Sequence, residues 1–568
     1  MGFLDAHLLN IVIFLPLVFA ALVLLLPAGE SGQIRTVTLI GMLVDLVAGV
    51  WAYTKYVPGG SEFQLEFRMP WFTEFGLSYH VGMDGIAASL LLLTVFLGPL
   101  VVLASSTSIT HRAKEFHLAL LVLQTTMLGA LVSLDVLLFY VFFESMLIPM
   151  YLLVGVWGSE DRQMAAVKFF LYTLFGSLLM LVAIVALYFL SGPSGGRSFD
   201  YASIYNALLG ANQELARCTA AGTCDTVGGL AKTLHTWGPV MFAAFALAFA
   251  IKVPMWPVHT WLPDAHVQAP VAGSMILAGV MLKMGTFGFW RFAIPLFPVA
   301  TQQARPLLAT LSVVGIVYGA LMCLAQRDIK KLIAYSSVSH LGYCMLGMLA
   351  LTSEGATGSA YQMLNHGVST GALFLLFGYL YERRHTRLMA DYGGIAKVMP
   401  VYTASFLIIT FSSVAVPGTN GFVGEFLVLL GTFKSNLGLV FGVLGALGVI
   451  LGAAYMLWMV QKVFFGSLTH RENQFLKDMS LREFITVAPF LVLVLVMGLQ
   501  PQPFLDRLAP STSRFIARAS VGSPGATVDE SKLQVEVMPL PEKTAAAPSH
   551  PSGSLAIVPA AALPPSRQ

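Results

Sequence analysis

The sequence predicts an all-α polytopic membrane protein with about fourteen transmembrane helices. The 568 residues are 57% hydrophobic and only 11% charged, with a mean hydropathy of +0.77. Soluble proteins carry about 25% charged residues, so the bilayer is the main solvent of this chain. Apolar runs recur, each near the roughly 20 residues that a helix needs to cross a bilayer. They lie at 8–27, 36–55, 83–105, 116–133, 135–156, 164–191, 238–256, 269–291, 307–325, 331–351, 357–381, 400–433, 437–465 and 484–500.

These runs divide the chain into five segments. Residues 1–115 hold the first three runs, and the first run lacks the basic segment and cleavage site of a secretory signal, so we expect it to be retained. Residues 116–291 and 307–465 hold five runs each (the fourth to eighth and the ninth to thirteenth), and the segment 484–504 holds the last run. Residues 505–568 are rich in Pro, Ala and Ser, which is typical of a disordered tail.

Two of the runs are interrupted. The seventh run contains Pro254 and Pro257, and the twelfth contains Pro417, Gly418 and Gly421. Proline removes a helical hydrogen-bond donor and clashes with the preceding turn, so both helices are predicted to break. Non-helical backbone at membrane depth is tolerated only inside protein or beside water, and paired broken helices indicate an ion site between inverted repeats. We therefore predict two inverted five-helix repeats with broken seventh and twelfth helices.

Loop charges predict the orientation of the chain in the membrane. Lys and Arg concentrate in alternate loops, and by the positive-inside rule this pattern places both termini outside. The long external loop 192–237 contains Cys218 and Cys224, which would form a disulfide in an oxidising compartment such as a bacterial periplasm. The basic loop residues are Arg112, Lys114, Arg327, Lys330, Lys331, Arg383, Arg384, Arg387, Lys397, Lys462, Arg471, Lys477 and Arg482.

Four ionisable residues stand alone in otherwise apolar runs: Glu144, Lys252, Lys283 and Glu425. A charge in hydrocarbon is costly and persists mainly where it faces a bundle interior or a water path. Two acids and two bases so placed indicate a path for protons or cations. The alternative interpretation is structural: a fixed ion pair or a helix–helix hydrogen bond for Glu144, and lysines that extend to the interface.

Three further residues are candidates for proton transfer. His340 and His366 lie at or near membrane depth, and histidine titrates near neutrality. A buried histidine that is simply hydrogen-bonded is the alternative for each. Lys168 lies near the start of the sixth run, in the position that His366 takes in the eleventh, and is either a relay or a basic residue at a helix end.

Several classes of site are not predicted. His259, Asp264 and His266 follow the seventh run without a further ligand, so a polar proton entry or a rigid loop is favoured over a metal site. The four cysteines form no C-x-x-C pair, and no phosphate-binding glycine loop is present. The net charge of +3 is too small to favour nucleic acid. No cofactor or quinone site is predicted in this chain, so the energy has to come from an ion gradient or from a partner.

Several stretches together resemble the antiporter-like subunits of respiratory complex I and of Mrp-type antiporters. They are Phe249-Ala-Ile-Lys252-Val-Pro-Met-Trp-Pro-Val-His259 with its continuation to His266, Phe142 to Tyr151, Asp328 to Gly342, and Asn365-His366-Gly. The resemblance covers about residues 1–505. The twelfth run carries a glutamate, Glu425. In this it resembles the M (chain 4) branch of the complex I family, whereas the L and N branches carry lysine at that position.

The resemblance implies a role for each buried charge. Glu144 in the fifth run modulates the protonatable Lys252 of the seventh run. Lys283 in the eighth run connects through two histidines to the second half of the chain, and the acid of the twelfth run is the terminal relay. It also implies partner subunits that carry flavin, iron–sulfur clusters and quinone, neighbouring L-like and N-like subunits, lipids, and a bacterial inner membrane. In that order the residues are Glu144, Lys252, Lys283, His340, His366 and Glu425.

Three alternatives remain at this stage. The chain is a subunit of an Mrp-type cation/proton antiporter, a subunit of a membrane-bound hydrogenase complex, or a structural scaffold without a path of its own. A scaffold predicts that the four buried charges tolerate neutral substitution. The genes next to this one would separate the other two from complex I.

Overall fold

A computed structural model describes residues 3–192, 196–224, 227–523 and 529–539. In this part of the chain thirteen helices are long and apolar enough to cross a membrane, and a broken pair of shorter helices makes a fourteenth crossing. In chain order, spans 1 to 14 are Leu8–Leu25, Ser31–Lys55, Gly85–Ser105, Ala113–Val132, Val136–Trp157, Arg162–Leu190, Gly229–Lys252, Val271–Leu296, Pro298–Leu324, Ile329–Ala350, Ser353–Arg384, Pro400–Ser413 with Asn420–Lys434, Leu439–Phe464, and Leu481–Leu499. The predicted all-α membrane fold is confirmed, while the inverted relation of the two halves stays a prediction.

Spans 8, 10 and 11 form the centre of the bundle. They are buried along almost their whole length, whereas spans 1, 2, 6, 13 and 14 present much of their apolar surface outward. A helix that is apolar on all sides belongs either in a protein core or in lipid. The three central spans are in the core, and the five outer spans present apolar surface suited to lipid. Polar side chains on the three central spans are therefore enclosed by protein.

A two-stranded antiparallel hairpin lies between spans 2 and 3 and was not predicted. Strand β1 is Gln64–Phe72 and strand β2 is Leu77–Met83, with Arg68 opposite His80. The turn requires glycine at position 76, where φ is +62° and a Cβ atom would lie 2.1 Å from the Arg197 carbonyl oxygen. The hairpin covers the end of the bundle at which span 3 begins.

The hairpin carries a buried charge cluster around His80. The ring donates from Nδ1 to Asp200 (2.6 Å) and from Nε2 to Glu66 (3.1 Å), and Arg68 lies 3.8 Å from Asp200. Burial lowers the pKa of His80, but the two carboxylates outweigh burial and raise the pKa above its ordinary value. His80 is therefore an ionic connection between the hairpin and the chain that follows span 6.

The predicted external loop 192–237 is largely helical. Tyr201–Ala221 forms a helix, and span 7 already begins at Gly229. Cys218 and Cys224 are joined by a disulfide at the end of this helix, while Cys323 and Cys344 are free and buried.

The prediction of a disordered tail from 505 was wrong for its first part. Gln502–Ser520 is a helix, whose Arg518 forms two hydrogen bonds of 2.6 Å with the carboxylate of Glu62. Beyond it, Val535 pairs with Asn206 through its carbonyl (2.7 Å) and its amide (3.1 Å), and Arg68 donates to the carbonyl of Met538. Composition alone indicated disorder, but these contacts fix the tail to the hairpin, to the residue Glu62 just before it, and to the helix Tyr201–Ala221. Residues 540–568 lie outside the described residues.

Arg518→Gln should destabilise the hairpin end of the bundle. Only 4% of the Arg518 side chain and 13% of the Glu62 side chain are exposed, and removal of one partner from a buried pair costs about 3–5 kcal/mol. We expect a lower midpoint in thermal unfolding of the purified assembly. Arg514→Gln is the matched control, because Arg514 lies on the same helix and makes an exposed hydrogen bond to the Gly60 carbonyl. Equal midpoints for the two variants would contradict the prediction.

Candidate functional site

Span 7 ends at Lys252, where the predicted break occurs. Pro254 adopts a positive φ of 28°, and a second short helix, Trp261–Gln268, follows the break. The Trp261 indole donates to the Ile251 carbonyl (2.9 Å). This carbonyl lies beside the point at which the helical hydrogen bonds of span 7 stop, and the indole gives it a donor. Only 1% of Lys252 is exposed, so the break places an amine in the protein interior.

Lys252 and Glu144 face each other across spans 7 and 5. The Lys252 ammonium lies 4.5 Å from the centre of the Phe143 ring, which precedes Glu144, and the two charges interact electrostatically. Lys252 Nζ makes no hydrogen bond within the described chain, and neither does Glu144 Oε1. A fixed ion pair with Lys252 is therefore not formed, whereas Ser177 of span 6 interacts with the Glu144 carboxylate, which is the helix–helix contact of the structural alternative.

Lys283 is held by the centre of the bundle. It follows a π-helical turn, Leu277–Met281, and its Nζ donates to the Ala278 carbonyl in that turn and to Nδ1 of His366 (2.6 Å). A π-helical turn inside an α-helix frequently marks a functional site. Here the π-helical turn directs the Ala278 carbonyl at the Lys283 ammonium, and span 11 supplies His366.

A second buried set continues from His366. Its ring centre lies 5.8 Å from that of His340 on span 10, and Nδ1 of His340 donates to Glu425 on span 12 (3.0 Å). Both members of the His340–Glu425 pair are at least nine-tenths buried. Spans 8, 11, 10 and 12 thus bring an amine, two imidazoles and a carboxylate into one row of proton-accepting groups.

The break in span 12 surrounds Glu425 with polar groups. Gln362 donates to its carboxylate (3.1 Å), and Asn365 links Gln362 to the Asn420 carbonyl at the start of the second helix (3.1 and 2.8 Å). Gly421 is required for this packing, because a Cβ atom there would lie 2.0 Å from the Ser412 carbonyl oxygen. The predicted unwound segment therefore orients the amide side chains that hold the acid.

Lys168 does not join this row. It pairs with Asp264 at 2.7 Å, and about a third of each side chain is exposed. The ring of His259 contacts Tyr318, and that of His266 stacks on Phe374 at 4.5 Å. Among the described residues, no three His, Cys, Asp or Glu side chains come together as a metal site would require.

Comparison with known proteins identifies the family. Residues 133–452 match the family described as NADH:quinone oxidoreductase/Mrp antiporter, TM, and residues 62–132 match NADH-ubiquinone oxidoreductase chain 4, amino terminus. The first match alone covers more than half of the chain. The chain belongs to the NADH:quinone oxidoreductase/Mrp antiporter family.

Individual members of the family are similar over nearly the whole chain. NADH-quinone oxidoreductase subunit M of Rhodobacter capsulatus is 43% identical over 517 residues, which are 90% of this chain and 96% of that protein. A chain of the respiratory complex I from Thermus thermophilus with bound NADH is 33% identical, with a TM-score of 0.77, and covers 91% of this chain and 100% of its own length. A chain of the Mrp complex from Dietzia sp. is 18% identical with a TM-score of 0.74, over 92% of this chain and 98% of its own, and shows the shared fold alone.

Asp45 and Lys330 are among the buried ionisable residues that the sequence analysis did not single out. Asp45 in span 2 is fully buried and accepts a hydrogen bond from Gln124 (3.0 Å). It is the only acid in its apolar run, so the criterion used for Glu144 would have found it. Lys330 was counted as a loop charge, yet it is buried and donates to the Ala269 carbonyl (2.6 Å).

Substitution of Glu425 should separate hydrogen bonding from charge. Glu425→Leu leaves His340 and Gln362 without their acceptor, and a buried polar group left unpaired costs about 1–3 kcal/mol. Glu425→Gln retains an acceptor oxygen and should cost less. Thermal unfolding of the purified assembly should therefore rank wild type, Gln and Leu in falling order.

Glu354→Gln and Glu354→Leu are the matched controls for this series. Glu354 forms an exposed pair with Lys434 (2.5 Å), and exposed pairs contribute only about 0–1 kcal/mol. If Glu425→Leu lowers the midpoint of thermal unfolding no more than Glu354→Leu does, the hydrogen bonds of Glu425 are not formed.

Proposed function

We propose that this chain is the M-type membrane subunit of a proton-pumping NADH–quinone oxidoreductase, and that protons move along its buried charges. The row of Lys283, His366, His340 and Glu425 across four spans is the observation that carries the proposal. Each member is a group that gains or loses a proton, and each is close enough to its neighbour for transfer directly or through one intervening polar group. A scaffold would need none of these groups inside the bundle.

The mechanism we propose is electrostatic. A charge change in a neighbouring subunit alters the interaction between Glu144 and Lys252, which no hydrogen bond fixes. Opposite charges interact strongly inside protein, where the effective dielectric constant is low, so a change at Glu144 alters the affinity of Lys252 for its proton. The proton then passes to Lys283 and along the histidines to Glu425.

Lys168 has an indirect part in this proposal. Its ion pair with Asp264 holds the short helix Trp261–Gln268 beside the break that presents Lys252. About a third of each side chain is exposed. The pair lies near the loops that the positive-inside rule places on the inner side of the membrane. It is therefore placed to orient the entry to the first half rather than to form part of the row.

The proposed partners follow from the sequence analysis, which predicts no cofactor or quinone site in this chain and therefore an external source of energy. We propose that flavin, iron–sulfur clusters and quinone are bound by partner subunits, that no redox step occurs in this chain, and that L-like and N-like subunits are its membrane neighbours. We also propose the bacterial inner membrane as its location, with both termini periplasmic. The disulfide between Cys218 and Cys224 supports an oxidising environment for the helix Tyr201–Ala221.

Purification from native membranes through a tag on this chain tests the assignment. A subunit of NADH–quinone oxidoreductase should copurify with flavin and iron–sulfur absorbance and with inhibitor-sensitive NADH–quinone reduction. An intact but colourless assembly without this activity would overturn the assignment in favour of an Mrp-type antiporter. A coloured assembly that evolves hydrogen would favour a membrane-bound hydrogenase.

Glu144→Gln tests the mechanism. The amide keeps the shape of the side chain and removes the charge that faces Lys252, so assembly should be normal. Without that charge the affinity of Lys252 for its proton no longer follows the neighbouring subunit, and we expect coupled NADH oxidation and proton pumping in vesicles to fall by roughly tenfold, which corresponds to about 1.4 kcal/mol in the barrier.

Glu160→Gln is the control for this variant, because Glu160 is an exposed acid just beyond the end of span 5. Wild-type pumping by Glu144→Gln in a normally assembled complex would rule out the proposed role of the Glu144–Lys252 pair.

A further inference from the structure

An apolar groove of about 160 Å³ lies between spans 2, 3, 11 and 14. Its wall consists almost entirely of hydrocarbon side chains, including Leu46, Leu92, Phe96, Leu493 and Met497. An apolar cavity of this kind does not hold ordered water, because water needs two to four polar partners. The groove is therefore suited to an apolar occupant.

A cation without an acidic partner stands at the hairpin end of the groove. The Arg507 guanidinium lies 4.7 Å from the centre of the Tyr53 ring, and Tyr53 lines the groove. Within the described chain no carboxylate lies within ion-pair distance of Arg507, and the one hydrogen bond of its guanidinium goes to the Pro503 carbonyl (2.9 Å). Its Nε atom is buried without a partner.

The position of Arg507 matches the depth of a lipid headgroup. Span 14 ends at Leu499, and Arg507 lies in the second turn of the helix that follows, Gln502–Ser520. Phe504 of the same helix lines the groove. A cation at the membrane surface therefore stands directly above an apolar slot in the membrane interior.

We propose that this groove binds an anionic phospholipid, with one acyl chain between spans 2, 3, 11 and 14 and the phosphate on Arg507. The planar guanidinium is the side chain best suited to bind a phosphate through two hydrogen bonds. The acyl chain supplies an apolar surface for the hydrocarbon wall of the groove to pack against. Charge complementarity thus selects the headgroup, and the shape of the groove selects the chain.

The lipid would support the helix that carries His366 without touching the proton path. Leu364 and Val368 line the groove from span 11, and His366 lies two residues from each. Residues two positions apart on a helix point about 200° from one another, so the acyl chain packs on the far side of span 11. Lipid binding does not depend on the proposed function of the chain.

Photo-crosslinking of the intact, purified assembly tests the site. The probe is phosphatidylglycerol with a diazirine midway along one acyl chain, doped into phosphatidylcholine bilayers, and the labelled positions are mapped by mass spectrometry. We expect labelling of the groove walls on spans 3 and 14. A phosphatidylcholine probe with the same diazirine should label these positions more weakly.

Two variants separate the headgroup from the acyl chain. Arg507→Gln should reduce phosphatidylglycerol labelling of the groove about fivefold, the effect expected from loss of one basic residue near an anionic membrane surface. Leu92→Trp should fill the slot and reduce labelling by both probes. Arg514→Gln removes a positive charge from the same helix away from the groove and should leave labelling unchanged.

Two results would overturn the proposal. Absence of label from spans 3 and 14 in the intact assembly would mean that a partner protein covers the groove. Labelling that is equal for both probes and unchanged by Arg507→Gln would mean that the headgroup is not recognised. Because Arg507 is only partly buried and its one hydrogen bond is exposed, the Arg507→Gln variant is expected to fold.

Discussion

The enclosure of an ammonium group at the centre of the bundle is the constraint on which the rest of this structure depends. Lys283 is fully buried, and a charge in such a position has to be held by protein atoms. Close contact between spans 8 and 11 makes this possible: a Cβ atom on Gly367 would lie 2.9 Å from the Gly279 carbonyl oxygen. Because residue 367 has no side chain, spans 8 and 11 approach closely enough for His366 to reach the lysine, and spans 10 and 12 can then complete the polar row behind it.

The two halves of the molecule treat their buried charges differently. In the first half, Lys252 and Glu144 face each other with no hydrogen bond to fix the pair. In the second half, Glu425 is held by His340 and Gln362, and Gln362 by Asn365. A loose pair responds to an external field because little has to be broken, whereas a hydrogen-bonded network transmits a proton with little rearrangement. Under the mechanism that we propose, this division suits a first half that responds to a charge change and a second half that transfers the proton.

The sequence predicted the elements of this site better than their contacts. Lone charges in apolar runs are visible because their burial is so costly, and the breaks are visible as Pro and Gly. The partners were not visible: Lys283 meets His366, and Lys168 meets Asp264, across 83 and 96 residues. A helix that is apolar all round has no periodicity that tells which side faces its neighbour. The hairpin and the tail were missed for a related reason, because Arg518 and Glu62 are 456 residues apart and only tertiary structure joins them.

The π-helical turn Leu277–Met281 makes the length of span 8 as important as its composition. Such a turn holds one more residue than an α-helical turn. Loss of one residue there would restore regular α-helical hydrogen bonding, and the Ala278 carbonyl, which now accepts from Lys283, would be taken up by a backbone amide. A single-codon deletion in this segment would therefore remove an acceptor from the lysine although the lysine itself was unchanged, and a gap in a sequence alignment is as informative here as a substitution.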